Sequence, residues 1–417
     1  MDRPPAVTKG WINRDVIGLS LNRFLSDFGH EAATTVLAQF LIAIGAPPFA
    51  LGVIEGVSDG LSSFAKLFGG WLGDRVTHRL PWAAFGYALT GIASAGFALA
   101  TAWPAVLVAR AIGWLGRGVR SPLHDAILTD AVPAEARGRA FGLDEAADTA
   151  GAIAGPIVAL LIIDTVTRTA TAVDAYRLTF WFSVIPGLLA AGCIMLLVRE
   201  TTGRMITRRS LWGGIANLPP SFRHYLIGVG IFGAGDFSHT LLILRATQLL
   251  TGTTGAEQAG QIAVGLYIAH NALYALGAYP VGALADRIGK RGLLIGAYVL
   301  AAVMDVFLIF ATPSILILAI IFILGGIVYA TQQTLERVVA ADLVPADIRS
   351  TGFGVLATVN GVGDLISSIV VGVLWSLIAP VAGFVYSLVL SLVGAFVVGW
   401  ALHRPATGSG SGSELPR

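Results

Sequence analysis

Gly70-Trp71-Leu72-Gly73-Asp74-Arg75-Val76-Thr77-His78-Arg79 returns 212 residues later as Gly282-Ala283-Leu284-Ala285-Asp286-Arg287-Ile288-Gly289-Lys290-Arg291. In each copy an apolar run closes on small residues, a single carboxylate follows, and a basic cluster precedes the next apolar run. A membrane helix ends this way at a cytoplasmic surface before the chain turns back. The repetition extends outward at the same offset. Asp130-Ala131-Val132-Pro133-Ala134-Glu135-Ala136-Arg137 parallels Asp342-Leu343-Val344-Pro345-Ala346-Asp347-Ile348-Arg349. The chain therefore consists of two homologous halves.

Of the 417 residues, 55% are apolar and only 12% charged, and the mean hydropathy is +0.76, so most of the surface must face something other than water. A spanning helix takes about 20 residues, which allows twelve spans with short connections and leaves no length for a soluble domain. The single cysteine, Cys193, excludes an internal disulfide and a thiolate metal cluster. No phosphate-cradling Gly-x-x-x-x-Gly-Lys and no activated-serine motif occurs, so neither ATP hydrolysis nor other catalysis is expected, and nothing suggests nucleic-acid binding. The N-terminus lacks a short apolar core followed by a cleavage site, so the first span is expected to remain in the mature protein. The Gly-Ser alternation from Gly408 to Ser413 reads as an appended linker.

Apolar runs between Pro, Gly and charge punctuation predict spans at 14–45, 49–74, 82–102, 104–132, 137–164 and 176–199, then 222–251, 258–286, 291–311, 314–343, 348–378 and 380–402. Arg and Lys crowd one side of this map, at Arg75, Arg79, Arg137, Arg139, Arg199, Arg204, Arg287, Lys290, Arg291 and Arg349 among others. The opposite side offers Arg168 and Arg177. The positive-inside rule places both termini in the cytoplasm. Residues 1–199 and 222–404 form the two six-helix units, 200–221 the cytoplasmic joint and 405–417 a tail.

The paired loops resemble the Gly-x-x-x-Asp-Arg-x-Gly-Arg/Lys-Arg/Lys signature of the major facilitator superfamily of secondary transporters. The second copy matches throughout, whereas the first carries Thr77 and His78 at two signature positions. Gly151-Ala152-Ile153-Ala154-Gly155-Pro156 resembles the fifth-span motif of the drug:proton antiporter-like branch, and Arg110-Ala111-Ile112-Gly113 its fourth-span arginine motif. The resemblance implies an all-α membrane fold of two pseudo-symmetric six-helix bundles rocking around a central site, working as a monomer in a bacterial inner membrane. It also implies a latch role for Asp74 and Asp286, with Arg75 and Arg287 as partners for Asp130 and Asp342.

Ionisable residues inside spans cost roughly 2.5 to 3.5 kcal/mol each and mark functional sites by default. Asp27, His30 and Glu31 share one face of the first span, and Glu55 and Asp59 share one face of the second. Ser26-Asp27-Phe28-Gly29-His30 in the first span is echoed by Gly235-Asp236-Phe237-Ser238-His239 in the seventh, which puts two Asp-x-x-His turns opposite each other across the cavity. Three readings of that face stay open. A carboxylate removed from water holds its proton more firmly, so Asp27 or Glu31 can carry the coupling proton. Alternatively Asp27, His30, Asp236 and His239 form an N2O2 set for a divalent transition metal as substrate, or the pairs only fix packing. His124-Asp125 aligns with Glu336-Arg337, whose opposite charges suit pairing between halves. Asp144, Asp148 and Asp364 lie near the inner ends of their spans, and Arg245, His270 and Asp305 lack an evident partner. The expectation is a proton-coupled exporter of a small solute with no resident cofactor. A divalent-metal exporter and a non-transporting membrane sensor or scaffold are the alternatives.

Overall fold

The computed structural model describes residues 10–200, 210–237 and 239–403. Within them fourteen α-helices run in the order α1 (Arg14–Ala43), α2 (Pro48–Arg75), α3 (Leu80–Leu99), α4 (Trp103–Ala131), α5 (Arg137–Val166), α6 (Ala172–Leu197), α7 (Leu211–Ala216), α8 (Pro220–Gly233), α9 (His239–Thr254), α10 (Ala256–Ile288), α11 (Lys290–Ile309), α12 (Ile315–Leu343), α13 (Arg349–Leu377) and α14 (Pro380–Ala401). Prolines stand in the first turns of α2, α3, α4, α8 and α14, where no N–H is needed and φ is already helical. Short 3-10 turns, Ala134–Ala136 and Ala346–Ile348, lead into α5 and α13 at equivalent places of the repeat.

Twelve spans follow, because α7 is a six-residue helix in the joint and α8 with α9 make one interrupted span. Eight of the described helical segments are long and apolar enough by themselves to cross a membrane. The remaining four spans are α1, α2 and α4, which carry much of the intramembrane charge, and the α8–α9 pair, whose pieces of 14 and 16 residues are each too short. The continuous seventh span expected from the sequence is thus broken after Gly233, at Ala234-Gly235-Asp236-Phe237. Non-helical backbone at membrane depth persists where it is buried in protein or lines a cavity.

The two signature loops also differ in conformation. Gly289 has φ +104°, a region that glycine adopts without a Cβ clash, and it joins α10 directly to α11. Its counterpart Thr77 follows an extended Val76 (φ −87°, ψ 143°), and the loop reaches α3 only at Leu80.

Packing divides by depth. One apolar core runs through both bundles on the side of the signature loops, uniting Leu19, Tyr87, Leu123 and Phe141 with Phe232, Tyr298, Leu335 and Phe353. Toward the other face the core splits. Phe40, Phe97, Val106 and Phe180 belong to the first bundle alone, and Leu250, Leu308, Phe322 and Phe384 to the second. The bundles therefore meet at the loop face and part toward the far face.

Candidate functional site

The junction at the loop face is built from helix ends. The first N–H groups of a helix need acceptors from outside it. α5 and α13 begin on Ala136 and Ile348, whose side chains offer none. The acceptors come from the opposite bundle. Asp286, just before the end of α10, accepts from the backbone N–H of Gly138 (2.8 Å) and Arg139 (3.0 Å) and from Arg139 Nε (3.0 Å). Asp74, just before the end of α2, accepts from the N–H of Ser350 (3.0 Å) and Thr351 (2.7 Å) and from Arg79 (3.1 Å). Each carboxylate thus caps the positive end of a helix in the other half. Missing side chains allow the approach: a Cβ on Gly138 would stand against Asp286, and one on Gly354 would lie 2.7 Å from the Lys66 carbonyl.

Asp130 and Asp342 brace the same seam, though not with the expected partners. Asp130 is bound by Arg79 (2.9 Å) within its own bundle and by Arg349 across the seam. Asp342 is bound by Lys290 (2.6 Å) and, from the other bundle, by Arg137 (2.6 Å). Arg75 lies over the Trp71 ring instead. The later bases of each signature, four or five residues beyond the Asp, begin the next helix and point back to the seam, whereas the base adjacent to the Asp does not. Glu200, after α6, accepts from the N–H of Arg79 and Leu80 (3.0 Å each) and so caps α3.

Deeper in, Arg337 of α12 bridges the bundles, meeting Asp125 (3.3 Å), Asp144 (3.6 Å) and Glu145. Asp125 and Arg337 are mates in the repeat, so the alignment of opposite charges read from the sequence is a physical contact. Tyr274 of α10 donates to Glu145 from the second bundle.

Above this seam the halves differ in how charge is balanced. In the first bundle, Asp27 receives a two-pronged contact from Arg117 (3.0 and 3.1 Å), with Arg120 at 3.8 Å. Arg23, one turn before Asp27, pairs with Asp148 (2.7 Å). His124 bridges Asp144 and the Tyr87 hydroxyl (2.8 Å each). Arg110 donates to Thr34 (3.1 Å), and the His30 ring packs edge-on to Trp114. In the second bundle, the buried Glu336 accepts from neutral groups, Tyr298 (2.5 Å) and Asn360 (2.7 Å). Asp236 occupies the break between α8 and α9, where Ser367 donates to its backbone carbonyl (2.6 Å). The described ion pairs of these spans include no arginine or lysine on Asp236, Asp305 or Glu336.

The sequence-predicted residues distribute accordingly. Asp27 and His30 lie on the inner side of α1, Asp27 engaged by α4. Glu55 and Asp59 fall on α2 and His239 opens α9, but their side chains lie outside the described residues. Among the described residues no three His, Cys, Asp or Glu side chains are grouped to hold a metal ion. Gly151 and Gly155 fit α5 against α1: a Cβ on either would press on the backbone of Phe24, Phe28 or Ala32. Arg23, Glu145, Tyr298 and Asn360 were not anticipated. For Arg23 the spacing of four from Asp27 was an available signal; for the others the partners lie 24 to 192 residues away in sequence.

A sequence model described as Major Facilitator Superfamily matches residues 19–244 and 226–417. An uncharacterized MFS-type transporter of Methanocaldococcus jannaschii is 28% identical over 389 residues, 93% of this chain and 94% of the relative. The quinolone resistance protein NorA of Staphylococcus aureus is 22% identical over 209 residues, half of each chain. Among solved structures, the FucP transporter in the outward conformation superposes with a TM-score of 0.75 at 15% identity, covering 94% of this chain and 99% of that one. The human organic anion transporter MFSD10 gives 0.68 at 17%, covering 95% and 100%.

Proposed function

The chain belongs to the major facilitator superfamily, a family of membrane transporters and not of enzymes, and we propose that it is a proton-coupled exporter of a small organic solute. Glu336 carries this reading. It is buried about two turns before the loop-face end of α12, among hydroxyl and amide partners, and takes part in none of the described ion pairs, so gaining or losing a proton changes its charge without breaking one. Asp27, by contrast, is tied to Arg117 in this state. Proton traffic therefore runs through the second bundle, by way of Glu336 and Asp236, while the charged network of the first bundle presents the solute with fixed polarity.

The basic loop face is taken as cytoplasmic, which makes the described arrangement outward-facing, sealed inside by the two trans caps and the Arg337 bridge. Protonation from the outer side and closure of the outer gap would then open the seal to the cytoplasm. Export is favoured by the α5 motif Gly151-x-x-x-Gly155-Pro156 and by the likeness to a quinolone resistance protein over half the chain. A bacterial inner membrane and a monomeric unit complete the proposal.

Proton coupling can be tested before the solute is identified. Spin labels at Glu135 and Ala346, exposed on the 3-10 turns of opposite bundles, report the width of the seam. Titrating pH in nanodiscs should shift the distance distribution in wild type, and Glu336→Gln should fix it in one state. A distribution indifferent to pH in the wild type sinks proton coupling. Proteoliposomes carrying a pH gradient, offered lipophilic cations and a quinolone, then assign the solute.

A further inference from the structure

A small cavity of about 20 Å³ lies inside the second bundle, apart from the seam and from the first bundle's charges. It is enough for one water-sized occupant. Its wall includes Asp236 at the helix break, His270 of α10, Asp305 of α11, Tyr329 of α12, and Ser387 and Ser391 of α14. Asp305 is completely buried. One carboxylate oxygen accepts from the Ser387 hydroxyl (2.8 Å), while the other has no hydrogen-bond partner. An unsatisfied oxygen on a buried carboxylate costs more than almost any other polar defect.

The charges do not close either. The wall contains two carboxylates and no lysine or arginine. His270 is its only basic group, and its Nδ1 hydrogen-bonds the Phe322 carbonyl (3.1 Å). With both carboxylates ionised, one negative charge is left over even if His270 is protonated. The amino end of α9, three residues past Asp236, offsets part of the charge there. The nearby acids Asp364 of α13 and Glu336 of α12 supply no compensating positive charge.

We propose that this cavity is a binding site for one sodium-sized monovalent cation, held by Asp305 and Asp236 with the Ser387 and Ser391 hydroxyls. A bare proton would satisfy the charge but leave the void. Magnesium keeps several of its waters and calcium takes six to eight oxygens, more than a one-water space and this wall provide. The site lies next to the break in the seventh span, so its occupancy would tie that break to α11 and α14. It shares Asp236 with the proposed proton route but uses neither Glu336 nor its partners, so loss of sodium binding and loss of pH response are separate results.

Purified full-length protein is melted in NaCl against choline chloride at equal ionic strength and fixed pH, and 22Na+ binding is measured on the same preparation. Sodium should raise the wild-type melting temperature by about 2 to 4 °C and bind saturably. Asp305→Asn should abolish both effects, Ser391→Ala should weaken them, and Glu336→Gln should retain them. Equal melting in sodium and choline with no saturable 22Na+ binding overturns the proposal. So does a response to calcium alone, or loss of binding in Glu336→Gln but not in Asp305→Asn, which would put the cation elsewhere. If Asp305→Asn does not fold, the wild-type binding and the Ser391→Ala affinity decide.

Discussion

Asp74→Asn isolates the closure of the loop face. The Asp74 carboxylate accepts the N–H groups of Ser350 and Thr351 across the seam and one guanidinium N–H within its own bundle, at 2.7 to 3.1 Å, and is wholly buried. Asparagine keeps the shape but has one acceptor oxygen, and its amide would direct N–H toward N–H. At least one charge-assisted bond across the seam is lost, a contribution of roughly 1.5 to 3 kcal/mol. The cost falls on the sealed state, because once the bundles part α13 presents its N–H groups to water in either protein. The ratio of sealed to open molecules should fall about 10- to 150-fold, enough to turn a 99:1 mixture into one with both states plainly visible. Spin labels at Glu135 and Ala346 read this directly, as a second, longer distance absent from wild type. Asp286→Asn should do the same through Gly138 and Arg139, and the double substitution should leave the open state dominant. A single unchanged distance in all three would refute trans capping as the force that holds the seam.

Arg117→Ala leaves the Asp27 carboxylate with only the more distant Arg120 at 3.8 Å and should cost about 3 kcal/mol, the lower end for a broken buried pair, seen as a lower melting temperature; adding Asp27→Asn should recover most of it. Gly155→Leu forces α5 off the Phe28 and Ala32 backbone and should lower both thermal stability and the yield of monodisperse protein, while Gly192→Ala, where a Cβ meets nothing within 4 Å, should be silent. Glu336→Gln should retain solute exchange under equal concentrations on both sides but lose uptake driven by a pH gradient in inverted vesicles. Loss of both activities would assign Glu336 to solute binding instead.

The fold was legible because its signals are periodic and local: two loops at one spacing, apolar runs of spanning length, and prolines where helices begin. The trans caps were half legible. Asp74 and Asp286 stand out in the sequence, and Ala136 and Ile348 are poor caps for the helices that follow them, but only the folded chain shows that one deficiency answers the other. Arg79 and Lys290 displaced Arg75 and Arg287 as partners of Asp130 and Asp342 because partner choice depends on where the next helix starts, a boundary that residue spacing locates only to within a few positions. The break in the seventh span had a local signal, Gly233 and Gly235 just before Asp236, masked by the apolar residues on either side.

Charge compensation was the least legible property and bears most on mechanism. A list of intramembrane acids treats Asp27, Asp148, Asp236, Asp305 and Glu336 alike, since each costs about the same to insert. The helices sort them into two kinds. In the first bundle arginines 23 and 117 meet Asp148 and Asp27 at 2.7 to 3.1 Å. In the second bundle Arg337 turns outward to Asp125, Asp144 and Glu145 of the first, and leaves Glu336, its chain neighbour, with neutral partners. The same contact that seals the loop face thus withdraws positive charge from the second bundle. Once the seal opens, Arg337 loses its partners in the first bundle, and Glu336 is the carboxylate next to it in the chain. On the proposed function, one arginine with two alternative partners would link the two events: while it bridges the seam, Glu336 is left to its tyrosine and asparagine partners, and Glu336→Gln should uncouple seam opening from pH.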